Sequence, residues 1–473
     1  MMAQKKGYNM KLYNTLTRKI DEFEPIEAGH VKMYCCGPTV YSWPHIGNLR
    51  TYLNEDFLRR TLTRAGYEVT HVMNITDVGH LTSDGDTGED KMLKAAEKEK
   101  MDVLALARKY ENSFFEQTQA LHILRPTIVC RATEHIDDMI AFVKKLEEKG
   151  LAYVAGGNVY FDTVKFGSYG TLSGQNLSSL QHGARVEEDA NKRNPTDFVL
   201  WFTSSKFENQ ILQWDSPWGR GYPGWHIECS VMSSKYLGER IDIHCGGVDH
   251  IAVHHENERA QSEGCFGHKW VNYWVHNEWL QLKGIKMSKS LGNILTVAAL
   301  KEKGYDPLAY RYLALTAHYK SPLLFSFEAL DSAQKAYDNL KARVIEIKKS
   351  GAGAVDEQAK TEALSRFDNA LFNDIGTPQA LAVMWEVVKS NTLSSATKWA
   401  VLQDMDTVLG FGMSDFQEET YTPDAEIDAL LQERKEARAA KNWARSDEIR
   451  NLLAEKGWAV KDMPDGTVQL TRA

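Results

Sequence analysis

The residues of this chain best suited to chemistry are the run His254-His255-Glu256-Asn257-Glu258 and, upstream of it, Trp225-His226-Ile227-Glu228-Cys229. His254 and Glu258 are four apart, so on a helix both side chains leave one face about a turn from each other and can grip one ion. With Cys36 and Cys229 the set becomes two thiolates, an imidazole and a carboxylate. That mixture suits zinc, which accepts sulfur, nitrogen and oxygen ligands and has no redox chemistry to disturb a bound thiol. The plain alternative is an exposed His/Glu helix that is merely a solvated face, with the cysteines as small core residues.

Two other segments have the makings of a nucleotide site. The apolar stretch Val31-Lys32-Met33-Tyr34-Cys35-Cys36 runs into Gly37-Pro38-Thr39-Val40-Tyr41-Ser42-Trp43-Pro44-His45-Ile46-Gly47-Asn48, and a helical pattern follows through Leu53, Phe57 and Leu58. A strand, a glycine-containing loop and a helix start make an anion site, because free backbone N–H groups and the helix dipole point at phosphate. Far downstream, Lys286-Met287-Ser288-Lys289-Ser290 leads into Leu291-Gly292-Asn293. Lysines there can neutralise charge that grows on an attacked phosphoryl group. Taken singly, a lysine-serine loop reads equally as a solvated turn. In this order the two segments resemble the paired ATP signatures of class I aminoacyl-tRNA synthetases.

With the metal set added, the chain resembles the cysteinyl-tRNA synthetases over nearly its whole length: Leu12-Tyr13-Asn14-Thr15-Leu16-Thr17, the Cys36-Gly37 signature, Asn74-Ile75-Thr76-Asp77, Lys192-Arg193-Asn194-Pro195-Thr196-Asp197-Phe198-Val199-Leu200-Trp201, Pro223-Gly224-Trp225-His226-Ile227-Glu228-Cys229-Ser230 and Ala437-Arg438-Ala439-Ala440-Lys441-Asn442-Trp443. The resemblance implies attack of the cysteine carboxylate on the α-phosphate of ATP, supplied with magnesium, and transfer of cysteine to the 3′ end of cysteine tRNA. By the same resemblance Cys36, Cys229, His254 and Glu258 hold one zinc, and Thr76, Trp225 and His244 form the cysteine pocket. ATP would be held by Gly37, His45, Gly47, Asn48, Asp249 and the Lys286-Met287-Ser288-Lys289-Ser290 loop, with His45, Lys286 and Lys289 catalytic. Arg438, Trp443, Asp447 and Asp462 would read the anticodon. Zinc would bind the substrate sulfur as thiolate, and serine, lacking that bond, would be rejected by roughly 10⁴ or more without an editing site.

Two features depart from the family pattern. Asn48 stands where many class I enzymes carry a second histidine, so it can donate a hydrogen bond but cannot become a cation. A stretch from Val78 to Asp90 intervenes before Lys91, where the family runs almost directly on. It reads as a surface loop near the mouth, without an assigned role.

The elements that must position these residues follow from periodicity. Residues 31–77 read as strand, helix, strand: an apolar run, an amphipathic Leu49–Ala65 segment stopped by Gly66, then the β-branched stretch from Tyr67 to Met73. Such a βαβ unit collects ligands at the C-terminal ends of its strands. A second unit has Arg240–His244 as strand, 245–249 as loop and the metal-candidate helix after it. The expected fold is α/β: a Rossmann-like parallel-sheet catalytic domain in two halves, 1–119 and 206–270, around a strand-rich connective insertion at 120–205. A region at 271–325 carries the lysine loop. Phe327, Leu330, Tyr337, Leu340 and Val344 make a helical stripe after Ser326, opening a bundle over 326–411. A linker at 412–424 then leads to a mixed α/β module at 425–473, with two helices split near Asn442 and a hairpin turning at 463–466.

Composition agrees without deciding. A chain of 473 residues with 43% apolar content has room for several domains. No apolar run reaches the roughly 18 residues of a membrane span, and the charged first residues lead into no apolar signal segment. Six cysteines at irregular spacing do not make a disulfide framework. The expectation is a cytoplasmic monomer without membrane association, in a reducing compartment. The net charge of −8 does not exclude RNA, since binding responds to local patches. Arg434–Lys461 carries eight Lys/Arg against four Asp/Glu, net +4, although a solvated helix face has the same pattern. The nearest rivals are a cysteine ligase that joins the adenylate to an amino sugar, which would lack residues 326–473, and a noncatalytic RNA-binding relative, which loss of His45 or Lys289 would betray.

Overall fold

The computed structural model describes residues 9–78, 91–174, 189–203, 212–283, 295–351, 353–418, 425–462 and 468–472. The chain forms two compact units, 1–414 and 415–473. At the centre of the first lies a five-stranded sheet, every pair parallel: β1 (His30–Cys35), β2 (Glu68–Ile75), β3 (Ile128–Arg131), β4 (Ile241–Gly247) and β5 (Val271–Asn277). Their order is β5-β4-β1-β2-β3. The chain winds outward from β1 in one direction, then restarts at β4 in the other. Ligands of such sheets bind at the switch point, outside the C-terminal ends of β1 and β4. Those ends carry Cys36-Gly37 and Gly247.

Three helices bring side chains to that point: α1 (Ile46–Arg64), α2 (Trp225–Leu237) and α3 (His254–Phe266). Helix α1 begins at Ile46, three residues before the expected start, because His45 caps it. Strand β4 runs on to Gly247, so much of the expected 245–249 loop belongs to the sheet. Alternation cannot mark where a strand buried on both faces ends, and β4 is buried throughout.

The small antiparallel sheet of the expected insertion comprises Ala152–Ala155, Asn158–Phe161, Phe198–Phe202 and Tyr222–Pro223. It differs from the expected 120–205 at both ends. Residues 128–131 form the edge strand of the central sheet, and the last strand of the small sheet lies past 205. Four helices, Phe327–Lys349, Glu357–Phe372, Thr377–Lys389 and Ser395–Leu409, follow in the expected bundle region. The second unit has helices Ala425–Ala439 and Trp443–Glu455 and an antiparallel pair, Trp458–Asp462 with Val468–Arg472, around a core of Ile427, Ile449 and Leu453. The expected turn at 463–466 lies outside the described residues, as does the stretch from Gly79 to Asp90.

One buried ion pair ties the sheet domain to the helices behind it. Arg311 Nη2 donates to Asp56 Oδ2 at 2.7 Å, with both side chains fully buried. Arg60 Nε donates to the same oxygen at 2.8 Å, and the Leu124 amide caps Oδ1 at 2.9 Å. The remaining Arg311 donors reach the carbonyls of Leu409 and Leu121. Burial opposes ionisation of Asp56, but Arg311 and Arg60 outweigh it and hold the carboxyl below its ordinary range. Removing one partner of such a pair strands the other charge out of water. Asp56→Asn should therefore lower stability by about 3–5 kcal/mol in urea unfolding. The contribution should be intact at neutral pH and lost only as pH falls below the unfolded carboxylate's ordinary ~3.9.

Candidate active site and metal centre

A cavity of about 400 Å³ opens at the switch point, with Cys36, Gly37, His45, Asn48, Trp225 and Asp249 in its wall. Cys36, Cys229 and His254 form its floor, with the Glu258 carboxylate behind them. One ligand atom each from Cys36, Cys229, His254 and Glu258 lie within 4.8 Å of one another, and all four residues are buried. Each element supplies its part for a local reason. Cys36 directly follows β1, Cys229 sits in the second turn of α2, and His254 and Glu258 stack one turn apart on α3. The solvated-face alternative fails here, since Glu258 is 0% exposed and His254 2%.

The donors are already oriented. His254 Nε2 lies 2.9 Å from Glu258 Oε1, and His244 Nε2 lies 2.8 Å from Oε2. The Cys36 and Cys229 sulfurs are 3.9 Å apart. Burial alone would push the Cys229 thiol up, but hydrogen bonds from Cys36 and His254 bring it down to about 6. Burial would likewise depress His254, yet Glu258 and Cys229 beside it push it up to about 10. The pocket thus draws positive charge to itself, and its two sulfurs, one nitrogen and one oxygen fit zinc.

A second quartet, Cys36, His244, His255 and Glu258, meets the same distance. Cys36 Sγ is 3.2 Å from His255 Nε2, and His255 Nδ1 is 2.7 Å from His276 Nε2, whose ring in turn meets the Thr15 hydroxyl at 2.8 Å. Two arguments favour the first quartet. It offers two thiolates rather than one, and Cys36, Cys229 and His254 face the cavity while His244 and His255 are not among its described lining residues. The outer histidines then act as partners that fix ligand orientation.

His244, expected in the cysteine pocket, therefore stands behind Glu258. There it also stacks on Trp274, with centroids 4.8 Å apart. Thr76 and Trp225 do line the cavity. Trp225 is half-buried and lies face-on over the His254 ring, with centroids 4.0 Å apart, and Thr76 donates its hydroxyl proton to Glu228 at 2.8 Å.

The cavity wall also carries the start of α1. The Asn48 amide donates to His45 Nδ1 at 3.1 Å, and the Asn48 side chain accepts from the His45 amide, a reciprocal cap. Accepting at Nδ1 leaves the ring proton on Nε2, where it can serve as a donor. The loop before it requires glycine, because a Cβ on Gly37 would sit 1.6 Å from the Asn74 carbonyl oxygen. The lysine loop, Lys286, Met287, Ser288, Lys289 and Ser290, lies outside the described residues. Trp279 and Leu280, shortly before it, line the cavity.

In the second unit Trp443 opens its helix with 57% of its surface exposed. The Arg438 guanidinium sits 5.9 Å from its ring centroid. Asp462 is committed to Arg434, in a two-pronged pair at 2.9 and 3.0 Å, and to Arg438 at 2.9 Å. Asp447 is exposed. Sequence reasoning missed His255, His276 and Arg434. His255 had one signal, its place in the His254–Glu258 run, whereas His276 had none before β5 was known to neighbour β4.

A family model described as the tRNA synthetases class I (C) catalytic domain matches residues 22–335, and one described as the cysteinyl-tRNA ligase anticodon binding domain matches residues 423–469. The chain is 49% identical to the cysteine–tRNA ligase of Treponema denticola, over 97% of this chain and 99% of that protein. It is also 49% identical to cysteine–tRNA ligase 1 of Burkholderia lata, over 97% of this chain and 96% of that one. Among solved structures, Mycobacterium tuberculosis methionyl-tRNA synthetase in complex with methionyl-adenylate matches with a TM-score of 0.57 at 16% identity, covering 82% of this chain and 93% of that one. At that identity the likeness is one of fold.

Cys229→Ser replaces a soft ligand by a hard, poorly acidic one and should cut the zinc held at this floor by an order of magnitude or more in affinity. Competition with a chromophoric chelator measures it. Unchanged affinity would remove Cys229 from the ligand set.

Proposed function

The chain belongs to the cysteinyl-tRNA ligase family of class I tRNA synthetases, and on that footing we propose that it activates L-cysteine with ATP and transfers it to the 3′ end of cysteine tRNA. The observation that carries the reading is one cavity with a thiol-selecting floor and a phosphate-binding helix start on its wall. The substrate carboxylate attacks the α-phosphorus of ATP, the bond to the β-phosphate oxygen breaks, and pyrophosphate leaves. A ribose hydroxyl of the tRNA then attacks the acyl carbon and displaces AMP. No protein nucleophile enters either step, so the chain contributes position and charge.

Cys36, Cys229, His254 and Glu258 would hold zinc. Bound there, zinc supplies a soft acid that favours a thiolate over an alcohol. His244 keeps the Glu258 carboxylate ionised and aimed. Trp225 and Thr76 flank the space above the floor, while Gly37, Gly47, Asp249 and the His45–Asn48 cap receive magnesium-bound ATP. Lys289, with Lys286, meets the charge that builds at the α-phosphate. In the second unit the exposed Trp443 ring offers a stacking face to an unstacked anticodon base, and Arg438 and Asp447 offer a donor and an acceptor nearby. Asp462 serves by fixing Arg438. Six cysteines without a disulfide support a reducing, cytoplasmic location, and no described helix is long and apolar enough to cross a membrane. We take the enzyme to work as a monomer. The amino-sugar ligase is disfavoured by the anticodon-domain match, and the noncatalytic relative by the presence of His45 and Lys289.

Cysteine-dependent ATP–pyrophosphate exchange tests the reading. Exchange should require cysteine, ignore serine, and collapse when zinc is chelated. Exchange that survives full removal of zinc with its preference over serine intact would refute the role given to the floor. Trp443→Ala, at an exposed position, should leave exchange unchanged and lower kcat/KM for tRNA charging by roughly 5-fold to 100-fold, the worth of one stacked base. Unchanged charging would remove Trp443 from the RNA-binding set.

A further inference from the structure

Cys35, the last residue of β1, belongs to neither of the Cys36 sets. It points instead into the layer between the sheet and α1. There one ligand atom each from Cys35, Glu55 and His71 lie within 4.8 Å of one another, the same spread as in the first set. Cys35 is 0% exposed, and Glu55 and His71 are 4% exposed. Neither ring nitrogen of His71 has a hydrogen-bond partner among the described residues, and the Glu55 carboxyl faces the Cys35 thiol. Leaving a buried polar group unsatisfied is costly, because its hydration is lost with nothing in its place. Here an unsatisfied imidazole converges with an acid and a thiol. Glu55 and His71 also line a small space of about 10 Å³, close to the volume that one small guest needs. Cys245 of β4 is the register partner of Cys35, with its thiol beside it.

We propose that Cys35, Glu55 and His71 form a second metal site, on the opposite face of the sheet from the first, for a divalent transition metal of the zinc type. The donor set selects that class. Magnesium and calcium prefer all-oxygen shells, whereas thiolate, imidazole and carboxylate together suit zinc. Cys245 or one water completes four-coordination. Three elements meet at the ion, β1 through Cys35, β2 through His71 and α1 through Glu55, so its part is structural. It holds the first βαβ unit together from behind while the first site works in front. Without a cation the dry surroundings push the Glu55 carboxyl up and the His71 ring down to about 3, disfavouring the charged form of each. A bound cation reverses that and gives each a partner.

The full chain, loaded with excess zinc and freed of unbound metal, should retain two equivalents by elemental analysis. His71→Leu and Glu55→Gln should each retain one and keep the selectivity for cysteine that depends on the other site. Cys229→Ser should not release the second equivalent. A wild-type chain that holds one equivalent overturns the proposal, as do two equivalents that His71→Leu leaves unchanged. Should either variant fail to fold, cobalt titration of the wild type decides the question. Thiolate-to-cobalt absorption is expected to rise until two equivalents have bound, and saturation at one rules the second site out.

Discussion

Burying the Glu258 carboxylate is the constraint on which the rest of the site depends. A bare carboxylate out of water is too costly to keep ionised unless it is paired and hydrogen-bonded. Its partners come from different parts of the chain: His244 from β4, His254 from its own helix, and the Cys36 thiol at 3.8 Å from β1. The two pairings that cross elements bring β1 and β4 to one carboxylate, and these strands are neighbours in register, with Ile243, His244 and Cys245 opposite Met33, Tyr34 and Cys35. The switch in winding direction that opens a crevice between these strands therefore also assembles the donors beneath it. Function and fold share one set of contacts at this point.

A second constraint fixes the phosphate side. Helix α1 must start where β1 ends, and the loop between them passes so close to the Asn74 carbonyl that Gly37 admits no side chain. The Asn74 side chain in turn accepts from the Gly37 amide at 2.8 Å. The middle of α1 is held by Asp56 and its two arginines, so the cap at His45 is the free end of an anchored rod. Preorganisation of this kind matters because a site that works by position and charge gains nothing from groups that must first move.

Much of this was legible in the sequence, for physical reasons that differ by element. The first βαβ unit was plain because a β-branched run and an amphipathic helix have different periods and Gly66 separates them. The Cys36, Cys229, His254 and Glu258 set was readable because helical spacing ties two members and the family resemblance supplied the others. The cap was not, because His45 is an uncommon capping residue and Asn48 looked like a substitution for histidine rather than a capping partner. The insertion limits failed because β3 is a four-residue edge strand, too short to show alternation, and only pairing with β2 assigns it to the central sheet. His244 was placed in the cysteine pocket by resemblance. In space its ring is spent on Glu258, a contact across two elements that no linear spacing encodes.

The likeness to methionyl-tRNA synthetase at 16% identity and a TM-score of 0.57 is one of backbone frame. A backbone frame survives such divergence because it needs only apolar periodicity and turn residues, which many sequences satisfy. Side chains that recognise a thiol are more demanding, since ligand type and number decide which metal and which substrate atom are accepted. In this chain those side chains are supplied by β1, α2 and α3, all of which end or begin at the switch point. The α1 start on the same rim needs only backbone N–H groups and a cap to serve any nucleotide triphosphate. Under the proposed function, selectivity for the amino acid and affinity for the nucleotide would lie on separate elements, the first free to diverge while the second stays fixed by geometry.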